Sequence, residues 1–190
     1  MRFLGGGNLP DRAAEQWRDR NELGHPAPIS FILGRSAMLA VGATDFVCYR
    51  NGFEFRLVVV LRDLNAQLSP LQSLSAETLA DLTSHERSND PKAFRLTVKF
   101  ADDSGPSTSD GTQDRFVAGA QARTITLLQG RFDGIRCEMT WFVSPLPRQG
   151  SLLFECFWGE ANAAFNYQLN STDAILSASR ESRRLLIPTE

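Results

Sequence analysis

The stretch WFVSPLPRQGSLLFECFWG, residues 141–159, places two aromatic-rich runs on either side of a Pro-Leu-Pro turn. Apolar residues recur at every second position, over residues 135–143 in the first run and 151–158 in the second. A period of two is typical of β-strands with one buried face. Pro145 and Pro147 cannot donate to a sheet and therefore end the first strand. The stretch predicts a hairpin that helps to close a hydrophobic core, and no ligand is needed to explain it.

Two registers of this hairpin keep both apolar sets on one face of the sheet. One register places Trp141 opposite Leu152, which also sets two glutamates against each other. The other places Trp141 opposite Phe154 and relieves that repulsion. In either register Cys137 and Cys156 lie on neighbouring strands of one hairpin. We expect both thiols to stay reduced.

The Pro-Leu-Pro turn admits two interpretations. As a structural turn, its prolines fix φ, and Leu146 between them packs back on the end of the sandwich. As a recognition element, a rigid exposed tip docks into an aromatic groove of a partner, as proline-rich segments can. We favour the structural interpretation.

Outside that stretch, short apolar runs bounded by turn residues predict further strands. The pair Asn51-Gly52 predicts a type I′ hairpin turn, because both residues readily adopt positive φ. Residues 53–61 end in a continuous β-branched run, which is typical of a central strand buried on both faces. Strict alternation in residues 94–100 predicts one core face and one solvent face. The other predicted strands are 29–33, 38–41, 46–49, 124–128 and 164–169.

Helical signals lie near the two ends of the chain. Segment 1–27 contains a predicted helix with Trp17 on its apolar stripe, where we expect the indole to fasten the helix to the sheet. Segment 171–186 predicts a C-terminal helix capped by Ser171 or Thr172. The apolar side of that helix consists of Ile175, Ala178 and Leu185.

Two polar segments, 63–92 and 101–115, predict long surface connections, the first with a helical signal near residues 77–83. About nine short strands framed by two short helices indicate an antiparallel, jelly-roll-like β-sandwich. The length suits a single domain over residues 1–190. No β-α-β alternation is present, so we do not expect a dinucleotide-binding α/β fold.

The composition is typical of a packed domain and does not indicate binding to a nucleic acid or a membrane. Hydrophobic residues make up 42% of the 190 residues, and the net charge is −2. Lysine occurs only at Lys92 and Lys99. The one dense basic cluster consists of Arg180, Arg183 and Arg184. Nucleic-acid binding needs more extensive basic clustering, and a membrane span needs an apolar run of about 18 residues. We therefore expect neither a nucleic-acid nor a membrane partner.

The cysteines and the N-terminus bear on the compartment. Cys48, Cys137 and Cys156 are an odd number without C-x-x-C spacing, which favours a reducing compartment. The N-terminal residues show neither the apolar region nor the small-residue cleavage site of a signal peptide. We expect a cytoplasmic protein.

No motif identifies a catalytic, cofactor-binding or metal residue. The only histidines, His25 and His85, lie in predicted loops, and their spacing to other ligands predicts no zinc site. The aspartates of segment 101–115 lack the spacing of a calcium loop. There is no G-x-S-x-G elbow and no phosphate-binding loop. Glu138 and Glu155 could form a glycosidase-like pair, but we favour solvent-facing strand positions for them. We expect no cofactor.

Three stretches near the C-terminus share a pattern with known sequences: RFDG at 131–134, the aromatic stretch at 141–160, and DAILSASRESRRLL at 173–186. With these stretches the chain resembles an uncharacterised family of small β-rich actinobacterial proteins. The family pattern is an aromatic strand, Pro-Leu-Pro-Pro, Gly-x-Leu, a Trp-ended strand and a helix. Arg148 stands here where a further proline is usual, and Leu186 where tryptophan often ends the helix. The resemblance implies a β-rich fold and a bacterial origin, but no mechanism.

Two functional hypotheses remain. The first is a non-enzymatic β-sandwich that binds another protein or associates with itself. The second is a sandwich that binds a small molecule between its sheets, with hydrolase activity as an extension. A filled core and an exposed apolar patch would favour the first hypothesis. A concave apolar pocket with converging polar groups would favour the second.

Overall fold

The computed structural model describes residues 21–62, 93–108, 123–133, 135–159 and 161–186. Within these ranges the chain forms mainly β-strands, with one short helix. The strands are β1 Glu22–Leu23, β2 His25–Ala27, β3 Phe31–Arg35, β4 Leu39–Tyr49, β5 Gly52–Leu61, β6 Phe94–Phe100, β7 Thr124–Asp133, β8 Arg136–Ser144, β9 Leu152–Trp158, β10 Ala163–Leu169 and β11 Arg183–Arg184, and the helix is α1 Asp173–Glu181. The predicted N-terminal helix, Trp17, His85 and the 63–92 connection lie outside the described residues.

Nearly all of the strands belong to two antiparallel sheets. The larger sheet has the order β2-β4-β5-β8-β7, and β3 pairs with β4 beyond the end of β2. The smaller sheet has the order β10-β9-β6. A separate two-stranded ribbon joins β1 to β11. Every pairing is antiparallel, as predicted.

Aromatic rings fill the space between the two sheets. Phe154 on β9 lies against Phe46 and Phe55 of the larger sheet, with ring centroids 6.1 and 5.4 Å apart. Phe94 on β6 lies 6.5 Å from the Trp141 ring on β8. The sheets therefore face each other across one hydrophobic core, and the predicted antiparallel β-sandwich is confirmed.

The predicted hairpin of β8 with β9 is wrong, although the predicted faces are right. Alternate residues of both strands are buried in the core, as the period of two requires. However, β8 pairs with β5 and β7, whereas β9 pairs with β6 and β10. Both proposed registers are therefore incorrect, and Cys137 and Cys156 lie on opposite sheets. The two apolar faces meet across the core instead of side by side.

The Pro-Leu-Pro connection carries the chain from one sheet to the other. Leu146 is half-buried and packs against the core, as expected of a structural turn. The Thr172 hydroxyl donates to the Arg148 carbonyl (3.0 Å) and accepts from the Gly150 N–H (3.2 Å). The peptide bond before Pro145 is cis. These contacts attach the connection to the start of α1.

The hairpin between β4 and β5 is confirmed, but its predicted turn type is wrong. Tyr49 pairs with Gly52, so the two loop residues are Arg50 and Asn51. None of residues 50–52 has a positive φ, which a type I′ turn requires. Glycine is needed at position 52 for a different reason, since a Cβ there would lie 2.3 Å from the Val143 carbonyl oxygen of β8.

Strand β4 replaces two predicted strands, 38–41 and 46–49. The chain continues through a bulge between Thr44 and Val47, where Asp45 adopts a φ of 54°. A bulge bends a strand without ending it, which explains the apparent gap in the apolar pattern. Strand β5 is central, as predicted, but it is buried on both faces only over its first residues. Val58 and Val60 are half-buried.

The C-terminal helix is shorter than the predicted segment 171–186. α1 ends at Glu181, because Ser182 is extended and the next two residues form β11. Leu185 is therefore not on the helix, and its side chain is exposed. Near the N-terminus, segment 1–27 is predicted to be helical, but its last residues form the strands β1 and β2.

Candidate functional site

The structure places His25 on β2 instead of in a loop. Its Nε2 lies 3.2 Å from the Glu181 carboxylate at the end of α1; the His25 side chain is partly exposed and that of Glu181 is exposed. This contact fastens the helix to the sheet edge. Among the described residues no group of three or more His, Cys, Asp or Glu side chains is arranged to hold a metal ion.

Glu138 and Glu155 are not brought together. They lie on the outer faces of opposite sheets, as their strand positions predicted. The Arg136 guanidinium hydrogen-bonds Glu138 at 2.6 Å and, with Arg56, holds the pKa of that carboxyl below its usual range. Glu155 lies 2.8 Å from the Lys99 ammonium. Each carboxylate forms surface ion pairs, so the pair offers no acid–base chemistry.

Asp102 is held by its own loop. Its carboxylate accepts hydrogen bonds from the backbone N–H and the hydroxyl of Ser104, and Arg123 lies 3.4 Å away. The Ser104 hydrogen bonds, with a smaller contribution from Arg123, lower the pKa of Asp102. Of the other aspartates in segment 101–115, Asp103 is described and adopts a φ of 56°, whereas Asp110 and Asp114 lie outside the described residues. The described part of this loop supports no cation site.

Sequence reasoning missed the two-stranded ribbon near the chain ends. In β1 and β11, Glu22 pairs with Arg184 and Leu23 with Arg183. Asn21 lengthens the ribbon, because its carbonyl accepts the Leu185 N–H at 2.7 Å.

Three leucines of this ribbon are exposed. Leu23 is 59%, Leu185 61% and Leu186 69% accessible. Because side chains alternate along a strand, Leu23, Arg183 and Leu185 share one face of the ribbon, whereas Arg184 is exposed on the other face, opposite Glu22. Among the described residues, no carboxylate forms an ion pair with Arg183 or Arg184. We call these five residues, Leu23, Arg183, Arg184, Leu185 and Leu186, the ribbon patch.

A buried carboxylate anchors the ribbon to the sandwich. Glu22 is only 4% exposed. Its Oε1 accepts the Arg50 backbone N–H at 3.0 Å and lies 2.5 Å from the Ser182 hydroxyl. The Arg50 guanidinium lies 3.7 Å away. These bonds join β1, the β4–β5 turn and the end of α1, so they attach the ribbon patch to the sandwich.

A scan against family models and searches of curated proteins and solved structures found no match for this chain. The resemblance to the actinobacterial family therefore stays a prediction. In the described part of the chain no helix is long and apolar enough to cross a membrane.

We predict that the native thiols react slowly. Burial raises the pKa of Cys48 and Cys156 to about 12 and that of Cys137 to about 11. Since the thiolate is the reactive form, a coloured thiol reagent at mildly alkaline pH should label the folded protein only slowly. In denaturant all three free cysteines should react promptly. Rapid labelling of the folded protein, or fewer than three reactive thiols after unfolding, would contradict this expectation.

Proposed function

We propose that this protein is a non-enzymatic interaction module that binds another protein through the ribbon patch. The observation that carries the proposal is the exposure of three leucines close to Arg183 and Arg184, for which the described residues offer no ion-pair partner. Water-exposed leucines grouped on one support are typical of an interaction surface. The arginines determine which partner suits the surface.

The fitting partner is a protein segment that combines acidic and apolar side chains. Arg180, in the last turn of α1, adds a third exposed cation close to the patch in sequence. The acids nearest to the patch in sequence among the described residues are engaged elsewhere, since Glu22 is buried and Glu181 contacts His25. The patch is therefore positive on a chain whose net charge is −2. Opposite charge on the partner would favour encounter and set the orientation.

A second copy of the chain fits the ribbon patch less well. In a two-fold arrangement Arg183 and Arg184 of one copy would approach the same residues of the other. Like charges in direct apposition are destabilising. This argument favours a different protein as the occupant.

The alternative function, binding of a small molecule between the sheets, is supported by one observation. The Trp141 indole N–H lies in the core and has no hydrogen-bond partner among the residues that the structure describes. A buried unpaired donor costs about 1–3 kcal/mol and would gain from an acceptor. Against this function, ring–ring contacts such as Phe55–Phe154 already join the facing sheets, and a ligand would have to displace them.

We also propose a reducing, cytoplasmic setting. Its support is the presence of three free, buried cysteines on separate strands of the sandwich. Such thiols persist where the compartment keeps them reduced.

Binding can be tested with a fluorescent synthetic peptide of alternating leucine and glutamate, using a lysine-for-glutamate version as the control ligand. We expect the acidic peptide to bind and the basic peptide not to bind. Arg183→Glu combined with Arg184→Glu should weaken binding by about tenfold or more at low salt, because both attractive contacts become repulsive. Leu185→Ser should also weaken binding while the fold is retained.

The matched controls are on β3, which also exposes an apolar and a basic side chain. Ile32→Ser and Arg35→Glu change the same residue classes at exposed positions away from the ribbon. These variants should bind the acidic peptide like the unmodified protein. Equal losses in the β3 variants, or unchanged binding in the patch variants, would overturn the proposal. It would also be overturned if Leu185→Ser abolished a dimer of the unmodified protein, since a second copy would then be the occupant.

A further inference from the structure

Most sheet edges of the sandwich are protected against pairing with another strand. Along the outer side of β6, the Val98 N–H donates to the Pro106 carbonyl at 3.0 Å, and the Leu96 N–H donates to the Thr108 hydroxyl at 3.0 Å. An isolated bridge joins Thr97 to residue 107 of the same segment. Residues 104–108 therefore cover this edge.

The edges of the larger sheet carry other protective features. Strand β7 has a bulge between Leu127 and Gln129. Strand β3 has one between Ile32 and Gly34, and β2 is three residues long with Pro26 at its centre. Bulges, prolines and short edge strands are devices that prevent pairing between sheets of different molecules.

Strand β10 has none of these features. Its seven residues, AAFNYQL, include no charge, proline or glycine. Its register with β9 is unbroken from Ala163 to Leu169. Among the described residues no strand pairs with the other side of β10. An uncharged, regular edge of this length, unpaired within the described part of the chain, can offer its outer N–H and C=O groups to another strand.

The residue pattern of β10 is self-complementary about Asn166. If two copies of the strand ran antiparallel with Asn166 opposite Asn166, Phe165 would face Tyr167 of the other copy, and Ala164 would face Gln168. Residues directly opposite share a face of the sheet. The aromatic pair would therefore lie on the core side, where Phe165 and Tyr167 are half-buried, and the Asn166 and Ala164–Gln168 pairs on the exposed outer side. Any other antiparallel register that keeps the apolar residues of both copies on the core side leaves more residues of β10 without a partner.

We propose that two copies of this chain associate through β10, with a two-fold axis at Asn166. The two smaller sheets then form one continuous six-stranded sheet across the molecules. The strand is already held in an extended form, because Tyr167 stacks on Phe31 with ring centroids 4.0 Å apart and Phe165 packs on Gly34. No like charges meet at the axis, in contrast to the ribbon patch. This inference does not depend on the ribbon patch or its partner.

The test is the molar mass in solution, measured by sedimentation over a range of concentrations into the high micromolar range. We expect the unmodified protein to form a dimer. Asn166→Lys places two ammonium groups against each other at the axis and should weaken self-association by about tenfold or more. Asn166→Asp should do the same with two carboxylates. A mixture of equal parts of both variants should recover the dimer, because opposite charges then meet across the axis.

Gln129→Lys is the matched control, since it also replaces an exposed amide on an edge strand, in this case β7. It should leave the dimer intact, and so should Leu185→Ser in the ribbon patch. A protein that stays monomeric at all concentrations, a dimer that survives Asn166→Lys, or a mixture that remains monomeric would each overturn the proposal. Circular dichroism of every variant establishes that loss of the dimer is not loss of the fold.

Discussion

Replacement of Phe154 by alanine should lower the free energy of unfolding by about 3–5 kcal/mol, the range for removal of a large buried aromatic side chain. Phe154 is fully buried, and its ring contacts Phe31, Phe46 and Phe55 of the larger sheet. The loss of stability has three sources: the buried ring no longer contributes its hydrophobic transfer free energy, a cavity remains in the core, and three ring–ring contacts disappear. Urea unfolding followed by tryptophan fluorescence measures it. Because the ring joins the two sheets, the change acts on the whole sandwich.

The control for this prediction lies on the same strand. Phe157 is on the outer face of β9, is 39% exposed, and lies under the Arg95 guanidinium at 5.7 Å from its ring centroid. Phe157→Ala should cost less than about 1 kcal/mol, since much of the ring is already in water. Similar losses for both variants would contradict the assignment of the two faces of β9.

Replacement of Glu22 by alanine should cost about 2–3 kcal/mol and release the ribbon. The substitution leaves the Arg50 N–H and the Ser182 hydroxyl without their buried acceptor. A buried polar group that loses its partner retains its desolvation cost. Exposure of the Arg50 side chain keeps the loss below that of a fully buried ion pair. Urea unfolding measures the cost, and trypsin should cleave after Arg183 and Arg184 faster than in the unmodified protein.

Glu155→Ala is the matched control, since it removes a carboxylate whose partner, Lys99, is on the outer face of the smaller sheet. A surface pair contributes about 0–1 kcal/mol, so this variant should unfold close to the unmodified protein. Its ribbon should also resist trypsin as before. If Glu22→Ala left both stability and cleavage unchanged, the anchoring role of Glu22 would be wrong.

The positions of the strands followed from local pattern. Residues 94–100 alternate as predicted, because burial on one face of a strand imposes a period of two that is visible in the sequence. The aromatic faces of β8 and β9 were correctly assigned for the same reason. These features depend only on neighbours along the chain.

The turn and helix boundaries were less predictable. The pair Asn51-Gly52 predicts a type I′ turn from the sequence alone. Glycine is required at position 52 for a different reason, because a Cβ there would collide with the Val143 carbonyl of β8, a strand far along the chain. The sequence predicts a C-terminal helix that reaches residue 186, because Leu185 fits the apolar side of such a helix. One signal could have shortened it: Arg180, Arg183 and Arg184, at spacings of three and four, would place like charges side by side on a helix.

No local pattern could have located the ribbon patch. Glu22 and Ser182 are 160 positions apart, and the two strands of the ribbon have two residues each. So short a strand shows no period, and its existence depends on the buried carboxylate that holds both ends of the described chain together. The exposed leucines became a candidate site only once their position relative to Arg183 and Arg184 was known.

Alternation along the chain thus established which side chains of β8 and β9 are buried, because a strand alternates its side chains whatever lies beside it. It could not establish which strand pairs with which. The apolar side chains of two strands can be buried when the strands are neighbours in one sheet, and also when the strands belong to two sheets that face each other. The free energy of burial depends on the apolar area removed from water and not on its direction, so it does not distinguish the two arrangements. Only the packing of all strands together decided that β8 joins β5 and β7, and that β9 lies across the core from them.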